Sequence, residues 1–375
     1  MTYLKDKSAL NTAQLIKWYR LNKRDLPWRN TNSAYKIWLS EIILQQTRVA
    51  QGMNYYLKFV SHYPSVIDLA EASEEEVLKD WQGLGYYSRA RNLHKAAKFI
   101  QKNYKGLFPS DYNEIRDLKG VGDYTAAAIA SFAFDLPHAV VDGNVYRVLS
   151  RLFNIKTPID STLGKKEFAQ LAQQLLPKDR AAEYNQAIME FGALQCVPKS
   201  PNCEACPFID SCVAFRNNQI ELLPIKEKKL KQKKRYLNYL IIESDNELLV
   251  NKRNSKGIWQ NLYDFPLIET DKSLAENALI KNKEFNTLIN NTEFKIQAVS
   301  QERKHILSHQ ILFAKFYHLN VGDNLKRILG KFERIKKRKL NEKPIPKLIE
   351  NYLKEETNLL SLFSAQIKSI QPWQE

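Results

Sequence analysis

The chain has 375 residues, 44% hydrophobic and 26% charged, enough for two or three domains each with its own core. No apolar run approaches the ~20 residues that span a bilayer, and the opening MTYLKDKSAL lacks a secretory apolar stretch, so a cytoplasmic protein without disulfides is expected. Lys and Arg total 57 against 41 Asp and Glu, a net charge of +16 that favours a polyanionic partner, nucleic acid or an anionic surface, unless the composition is merely lysine-rich.

Residues 1 to about 221 read as helix. AYKIWLSEIILQQTRVAQGMNYYLKFV, EEEVLKDWQGLGYYSRARNLHKAAKFIQKNY and DYTAAAIASFAF repeat apolar residues at helical spacing, with breaks at Pro64, Pro109, Gly120, Gly122 and Pro137. PIKEKKLKQKKRY has seven Lys/Arg against a single Glu and marks 222–236 as a solvated basic linker. Beyond it, YLNYLIIES and ELLVNKR are β-prone runs across a DN turn, and HILSHQILFAKFYHLNV alternates like a strand. Residues 237–352 are therefore expected to form an α+β domain on a mostly antiparallel sheet, with 353–375 a weakly helical tail.

All four cysteines, Cys196, Cys203, Cys206 and Cys212, fall in CVPKSPNCEACPFIDSC with spacing C-x6-C-x2-C-x5-C. Zinc sites of four cysteines usually carry two C-x2-C knuckles; here there is one such pair, on short arms stiffened by Pro198, Pro201 and Pro207. The spacing favours a loop wrapped around a [4Fe-4S] cluster over a zinc ribbon or separate buried thiols. In LKGVGDYTAAAIA, Gly120, Val121 and Gly122 form a loop in which both glycines can take positive φ, ahead of a helix that begins near Tyr124 and Thr125. Helix N–H groups there suit a phosphate, although a glycine turn between helices is also common. Asp142, in AVVDGNVYRVLSRLF, is either a helix N-cap or a chemical carboxylate. Glu41, in AYKIWLSEIILQQT, has Ile37, Trp38, Leu44 and Gln45 as helical neighbours. An acid there sits at the edge of an apolar face or is buried in it, and burial would keep it protonated near neutrality.

In this order, these motifs resemble the endonuclease III superfamily of DNA glycosylases, and VDGNV and LSE leading into LQQT resemble its MutY-type adenine glycosylases. The resemblance covers nearly the whole chain. It implies a mainly α helix-hairpin-helix glycosylase domain over 1–221, with the hairpin at about 112–130 and the [4Fe-4S] loop at 196–212, followed by an α+β Nudix-like domain. It implies a nucleoid-associated monomer that hydrolyses adenine from A:8-oxoguanine and A:G mispairs in double-stranded DNA. Glu41 would protonate the base at N7 and Asp142 would stabilise the oxocarbenium-like sugar, assisted by Tyr124 and Asn144. Gly120, Val121 and Gly122 would hold a DNA phosphate, Gln186 would read the adenine edge, and the cluster would be a structural clip. Arg29, in RDLPWR, would approach adenine or a phosphate. Gln45, Gln46 and Tyr86 would enter the duplex as the base flips out. From the residues alone, Tyr86 and Tyr87 read rather as core aromatics and the glutamines as a solvated helix surface. Superfamily members that also cut the strand carry a lysine two residues after the last hairpin glycine. Here Asp123 and Tyr124 follow Gly122, and Lys119 precedes the loop, so a monofunctional enzyme is expected.

GIWQNLYDFPLIE resembles the GLW…FP segment of the same branch, and Leu307-Ser308-His309 its Phe-Ser-His loop for reading 8-oxoguanine, with Leu307 replacing the aromatic. Ser308 and His309 would hydrogen-bond the altered purine; without the resemblance they read as strand residues facing water. KSLAENALIKNKEF lacks the glutamate-rich Mg²⁺ helix of Nudix hydrolases, so recognition rather than phosphohydrolysis is expected. Two rivals stay open. An endonuclease III-like enzyme on oxidised pyrimidines is disfavoured by VDGNV, the missing lysine and the long second domain. A non-catalytic iron–sulfur DNA-binding scaffold is disfavoured by the two carboxylates.

Overall fold

The computed structural model describes residues 9–227, 232–244, 246–328 and 330–355; positions 228–231 of the expected linker and the tail beyond 355 lie outside them. The chain divides into two compact units, one within 1–71 and 92–229, the other within 72–91 and 230–375.

The first unit is helical, as its periodicity requires. It opens with α1 (Thr12–Asn22), α2 (Ala34–Leu44), α3 (Val49–His62) and α4 (Val66–Glu71). The chain then passes through α5 (Glu74–Asp80), in the second unit, and returns within α6 (Ser88–Tyr104). α7 (Tyr112–Asp117), α8 (Asp123–Phe134), α9 (Gly143–Leu152), α10 (Thr162–Leu175), α11 (Ala181–Leu194) and α12 (Val213–Arg216) follow. Side chains of Asn11, Ser33, Asp111, Asp142 and Ser161 cap helix starts by accepting from backbone N–H groups two or three residues on. α11 packs on α1, α8 and α9, and α8 packs on α2. Val145, Val148, Leu149, Phe168 and Phe191 fill the core between them, each worth roughly 1.5–3 kcal/mol of burial. Nine of the eleven residues of α2 are buried, Glu41 among them, so this acid lies inside the unit rather than at the edge of a face.

The second unit carries β1 (Lys233–Glu243), β2 (Glu247–Lys252), β3 (Tyr263–Asp264), β4 (Leu267–Thr270), β5 (Lys295–Val299), β6 (Arg303–Ile306), β7 (Gln310–Asn320) and β8 (Glu333–Lys336). α13 (Glu276–Ile280) and α14 (Lys283–Ile289) lie between β4 and β5, and residues 347–355 are helical. The sheet runs β3-β2-β1-β7-β5, with β4 on β1, β6 on β7 and β8 on β2. Its strand pairs are antiparallel, as expected, except the longest, β1 with β7, which is parallel from Lys233↔Gln310 to Glu243↔Asn320. The sheet is therefore mixed. β1 is buried continuously from 237 to 242, as a central strand with both faces covered should be.

Two expected boundaries move. β1 starts at Lys233, inside the expected 222–236 linker, because the backbone there pairs with β7. Residues 72–91, expected in the helical domain, pack with the second unit. Glu75 accepts from Lys343 Nζ (2.8 Å), Tyr263 OH (2.9 Å) and Lys252 Nζ (3.4 Å), and Gln82 Oε1 accepts from the Ile345 N–H (3.1 Å). Among the described residues no helix is long and apolar enough to cross a membrane.

Candidate active site

A cavity of about 510 Å³ opens in the first unit between the 26–29 turn, the C-terminal half of α2, the starts of α8 and α9, and one face of α11. Glu41 and Asp142 both line it. Glu41 is 9% exposed, and Tyr124 OH donates to its Oε2 at 2.9 Å. Burial pushes the Glu41 pKa up to about 7; the Tyr124 bond and Arg29 oppose this, and the negative Asp142 adds to it. Burial and the two carboxylates also raise Tyr124, which keeps its proton and stays a donor.

Asp142 is the N-cap of α9. Its Oδ1 accepts from the N–H groups of Asn144 (2.9 Å) and Val145 (2.8 Å), and its Oδ2 from Asn144 Nδ2 (2.7 Å). Burial raises its pKa, against those bonds and the positive Arg147. Three N–H donors point at Asp142 and one hydroxyl at Glu41, so a single proton shared by the two acids settles on Glu41. Arg147 Nη2 donates to Asn144 Oδ1 (2.8 Å) and to the Gly192 carbonyl (2.6 Å), fixing which end of the Asn144 amide meets Asp142. Its Nε donates to the Cys196 carbonyl (2.7 Å). A Cβ at Gly192 would stand 2.7 Å from Asn144 Cβ and 2.9 Å from its carbonyl oxygen. Gly192→Ala is therefore expected to push the start of α9 off α11 and cost about 1–3 kcal/mol, measurable as a lower unfolding midpoint.

On α11, Gln186 Oε1 accepts from Tyr19 OH (2.7 Å). Glu190, 1% exposed, receives Arg24 through Nε (2.9 Å) and Nη2 (2.6 Å), and Arg29 through Nη1 (2.9 Å) and Nη2 (2.7 Å). Burial alone would raise Glu190; the two guanidinium groups overrule it and bring the carboxyl down to about 2.

Cys196, Cys203, Cys206 and Cys212 line one small cavity together with Arg151, Phe191 and Phe215, and none is in a disulfide. Among the described residues no three His, Cys, Asp or Glu side chains are grouped so as to hold a metal ion. Arg151, 1% exposed, braces the loop. Its Nε reaches the Ile220 carbonyl (2.9 Å), Nη1 the Val197 carbonyl (2.8 Å) and Cys196 Sγ (3.4 Å), and Nη2 the Pro198 carbonyl (3.0 Å). Burial lifts the Cys206 thiol to about 12, opposed by the Phe208 N–H and reinforced by the other three sulfurs. A positive group beside the Cys206 sulfur would favour its thiolate.

A second cavity, about 400 Å³, lies wholly in the second unit. Its walls are the 84–88 turn, residues 257–259 and the turn between β6 and β7. That turn is Leu307-Ser308-His309, closed by the Leu307 N–H on the Gln310 carbonyl (2.8 Å). Tyr86 is 45% exposed, and its OH is bonded to Ser308 Oγ.

A sequence profile of HhH-GPD superfamily base excision DNA repair proteins matches residues 39–178, and a NUDIX domain profile matches residues 238–355. The adenine DNA glycosylase of Buchnera aphidicola subsp. Acyrthosiphon pisum is 31% identical over 343 residues, 91% of this chain and 97% of the relative. That of Buchnera aphidicola subsp. Baizongia pistaciae is 35% identical over 302 residues, 80% of this chain and 83% of the relative. The chain belongs to the adenine DNA glycosylase family. Among solved structures, a thermostable thymine-DNA glycosylase aligns with a TM-score of 0.52 at 29% identity, over 57% of this chain and 99% of that one. A trapped endonuclease III–DNA covalent intermediate aligns at 0.50 and 23% identity, covering 58% and 99%, a likeness of fold. The architecture is thus a helical HhH-GPD domain followed by a Nudix-like domain with a mixed sheet.

Within this adenine DNA glycosylase fold, the first cavity gathers Glu41, Tyr124, Asp142, Asn144, Gln186, Arg29, Gln45 and Gln46. Gln45 Nε2 donates to Thr125 Oγ1 (3.2 Å), and Gln46 adopts a left-handed φ of +55°. Arg29, expected to approach adenine or a phosphate, has both Nη groups committed to Glu190. Of the hairpin glycines only Gly120 uses positive φ (+86°); Gly122 is extended at −109° and starts α8 without a side-chain cap. The Val121 N–H closes the turn on the Leu118 carbonyl (3.0 Å). Tyr86, Ser308 and His309 gather at the second cavity, Ser308 and His309 in a turn rather than a strand. Tyr86 is exposed while Tyr87 is core. The sequence reading missed Glu190, Arg24, Tyr19, Arg147 and Arg151. One signal was available: Glu190 interrupts the apolar run NQAIMEFGAL much as Glu41 interrupts its own helix.

Proposed function

We propose that this family member is a monofunctional adenine DNA glycosylase, acting as a monomer on adenine opposite 8-oxoguanine or guanine in duplex DNA. One observation carries the reading: two carboxyls, Glu41 buried and Asp142 half-buried, line one cavity, the first poised to hold a proton and the second surrounded by N–H donors. Adenine flipped into the first cavity meets Glu41, which gives its proton to N7 so that the base leaves neutral. As the bond from C1′ to N9 breaks, positive charge grows on the sugar and faces ionised Asp142. Water then adds to C1′ and its proton returns to a carboxylate, completing hydrolysis. Tyr124 orients the Glu41 carboxyl, and Asn144, locked by Arg147, holds Asp142. With Oε1 taken by Tyr19, the Gln186 amide N–H is left to the acceptor nitrogens of adenine.

A Cβ at Gly122 would meet nothing within 4 Å, which supports the uncapped start of α8 as the place for a DNA phosphate. Gln45 and Gln46, at the rim, would enter the space the flipped base leaves. Four cysteines lining one small apolar cavity, none of them in a disulfide, support a [4Fe-4S] cluster held by Cys196, Cys203, Cys206 and Cys212. The cluster would serve as a structural clip on the 196–212 loop, with the proton chemistry left to the carboxylates. Tyr86, Ser308 and His309 support the second cavity as the reader of the base opposite adenine.

No lysine lines the first cavity among the described residues, which supports hydrolysis without Schiff-base strand cleavage. The test is a labelled duplex with one adenine opposite 8-oxoguanine, half of each sample treated with alkali. Strand breakage at the adenine is expected only after alkali. Breakage without it would overturn the monofunctional reading, and an intact strand despite tight binding would overturn the enzymatic one.

A further inference from the structure

The turn that presents Tyr86 has a costly backbone. Gly83 (φ +95°), Gly85 (φ +77°) and Tyr86 (φ +45°) are all left-handed. Glycine adopts this freely, but a tyrosine does so only where its surroundings over-determine it. Trp81 Nε1 donates to the Gly85 carbonyl (2.9 Å), and the Gly83 N–H donates to Tyr87 OH (3.2 Å). The remaining support converges on Arg89. Its guanidinium lies over the Trp81 ring (5.1 Å) and the Tyr86 ring (5.6 Å), and its Nη2 faces the carbonyls of Gly85 (3.3 Å) and Leu84 (3.5 Å). Its own N–H donates to the Tyr86 carbonyl (2.8 Å). Arg89 is only 8% exposed, and burial lowers its pKa to about 10.

We infer that Arg89 is a positioning residue that fixes Tyr86 where its exposed ring meets the base opposite adenine; this rests on the second cavity being the mispair reader. Arg89 holds the ring through its face and the turn through two carbonyls, so Tyr86 is set before DNA arrives.

The test measures binding and single-turnover excision on A:8-oxoguanine and A:G duplexes for wild type, Tyr86→Ala, Arg89→Met and the double variant, with unfolding midpoints alongside. Arg89→Met is expected to cut the preference for 8-oxoguanine over guanine about tenfold, through affinity, with the saturated rate on each duplex unchanged. In the Tyr86→Ala background the same change should move the preference less than about twofold. Arg89→Lys keeps a cation over the rings and replaces Arg89→Met should the latter not fold; its loss should be smaller and again confined to the Tyr86 background. Equal losses in both backgrounds would overturn the inference. If Tyr86→Ala lowers the preference and neither Arg89 variant does, the inference alone falls. If Tyr86→Ala itself leaves the preference unchanged, the reading of the second cavity falls with it.

Discussion

Replacing Glu41 with glutamine is expected to slow single-turnover adenine excision by about 10³-fold or more while leaving duplex binding intact. The amide has the shape of the acid and can still accept from Tyr124 OH, now 2.9 Å from Oε2, but it has no proton to give. In the wild type, with Glu41 near 7, excision should fall about tenfold per pH unit on the alkaline side as the acid ionises. Glutamine should remove that limb along with the activity. Stability should move the other way. The native state holds this proton up to about pH 7 while the unfolded chain releases it near 4.5, so wild-type stability falls as pH rises between the two. The total is about 3 kcal/mol, and glutamine has none of it to lose. At pH 8 the variant should therefore melt above the wild type. A variant that retained a tenth of the wild-type rate would end the proton-donor assignment.

Asp142→Asn should be nearly as damaging, about 10³-fold in excision, at a folding cost of about 1 kcal/mol for the donor left unpaired. Asparagine caps helices as well as aspartate, so the bonds from the Asn144 and Val145 N–H groups survive. Two things are lost: the negative charge facing the sugar, and an acceptor for Asn144 Nδ2, which would meet the new amide donor to donor. Asn144 cannot turn over to repair this without giving up Arg147 Nη2 on its Oδ1. Asp142→Ala would add loss of the cap, about 1 kcal/mol. Comparing unfolding midpoints and single-turnover rates of the two variants separates cap from chemistry. An active Asp142→Asn protein would reduce Asp142 to a cap.

The sequence made parts of this visible for physical reasons. An acid in the middle of AYKIWLSEIIL must either break the apolar face or be buried in it, and α2 buries it. For Asp142 the cap is what the structure shows, and it is compatible with the proposed chemical role: N-cap geometry aims two backbone N–H groups at the carboxylate and the Asn144 amide adds a third donor. Helical spacing shows which residues share a face but not which distant face they meet. The Arg24 and Arg29 contacts to Glu190 span more than 160 residues, and so does Tyr19 on Gln186. A β-prone run announced β1 and alternation announced β7 as strands, without saying that they would run parallel. Composition could not place the end of the linker either, because the lysines at 233 and 234 pair through their backbones, which are the same in every residue.

The excursion of residues 72–91 bears on how such a protein could be inherited in pieces. The basic stretch near 228–231 looks like the seam between two cassettes, yet the partners of Lys252, Tyr263 and Lys343 sit on α5, some 180 positions upstream or more. A recombination event or a graft cut at that seam would join a C-terminal half to a foreign Glu75, Trp81 and Tyr86. The heritable module is discontinuous: 72–91 travels with 230–355, or the hybrid has to evolve the match again.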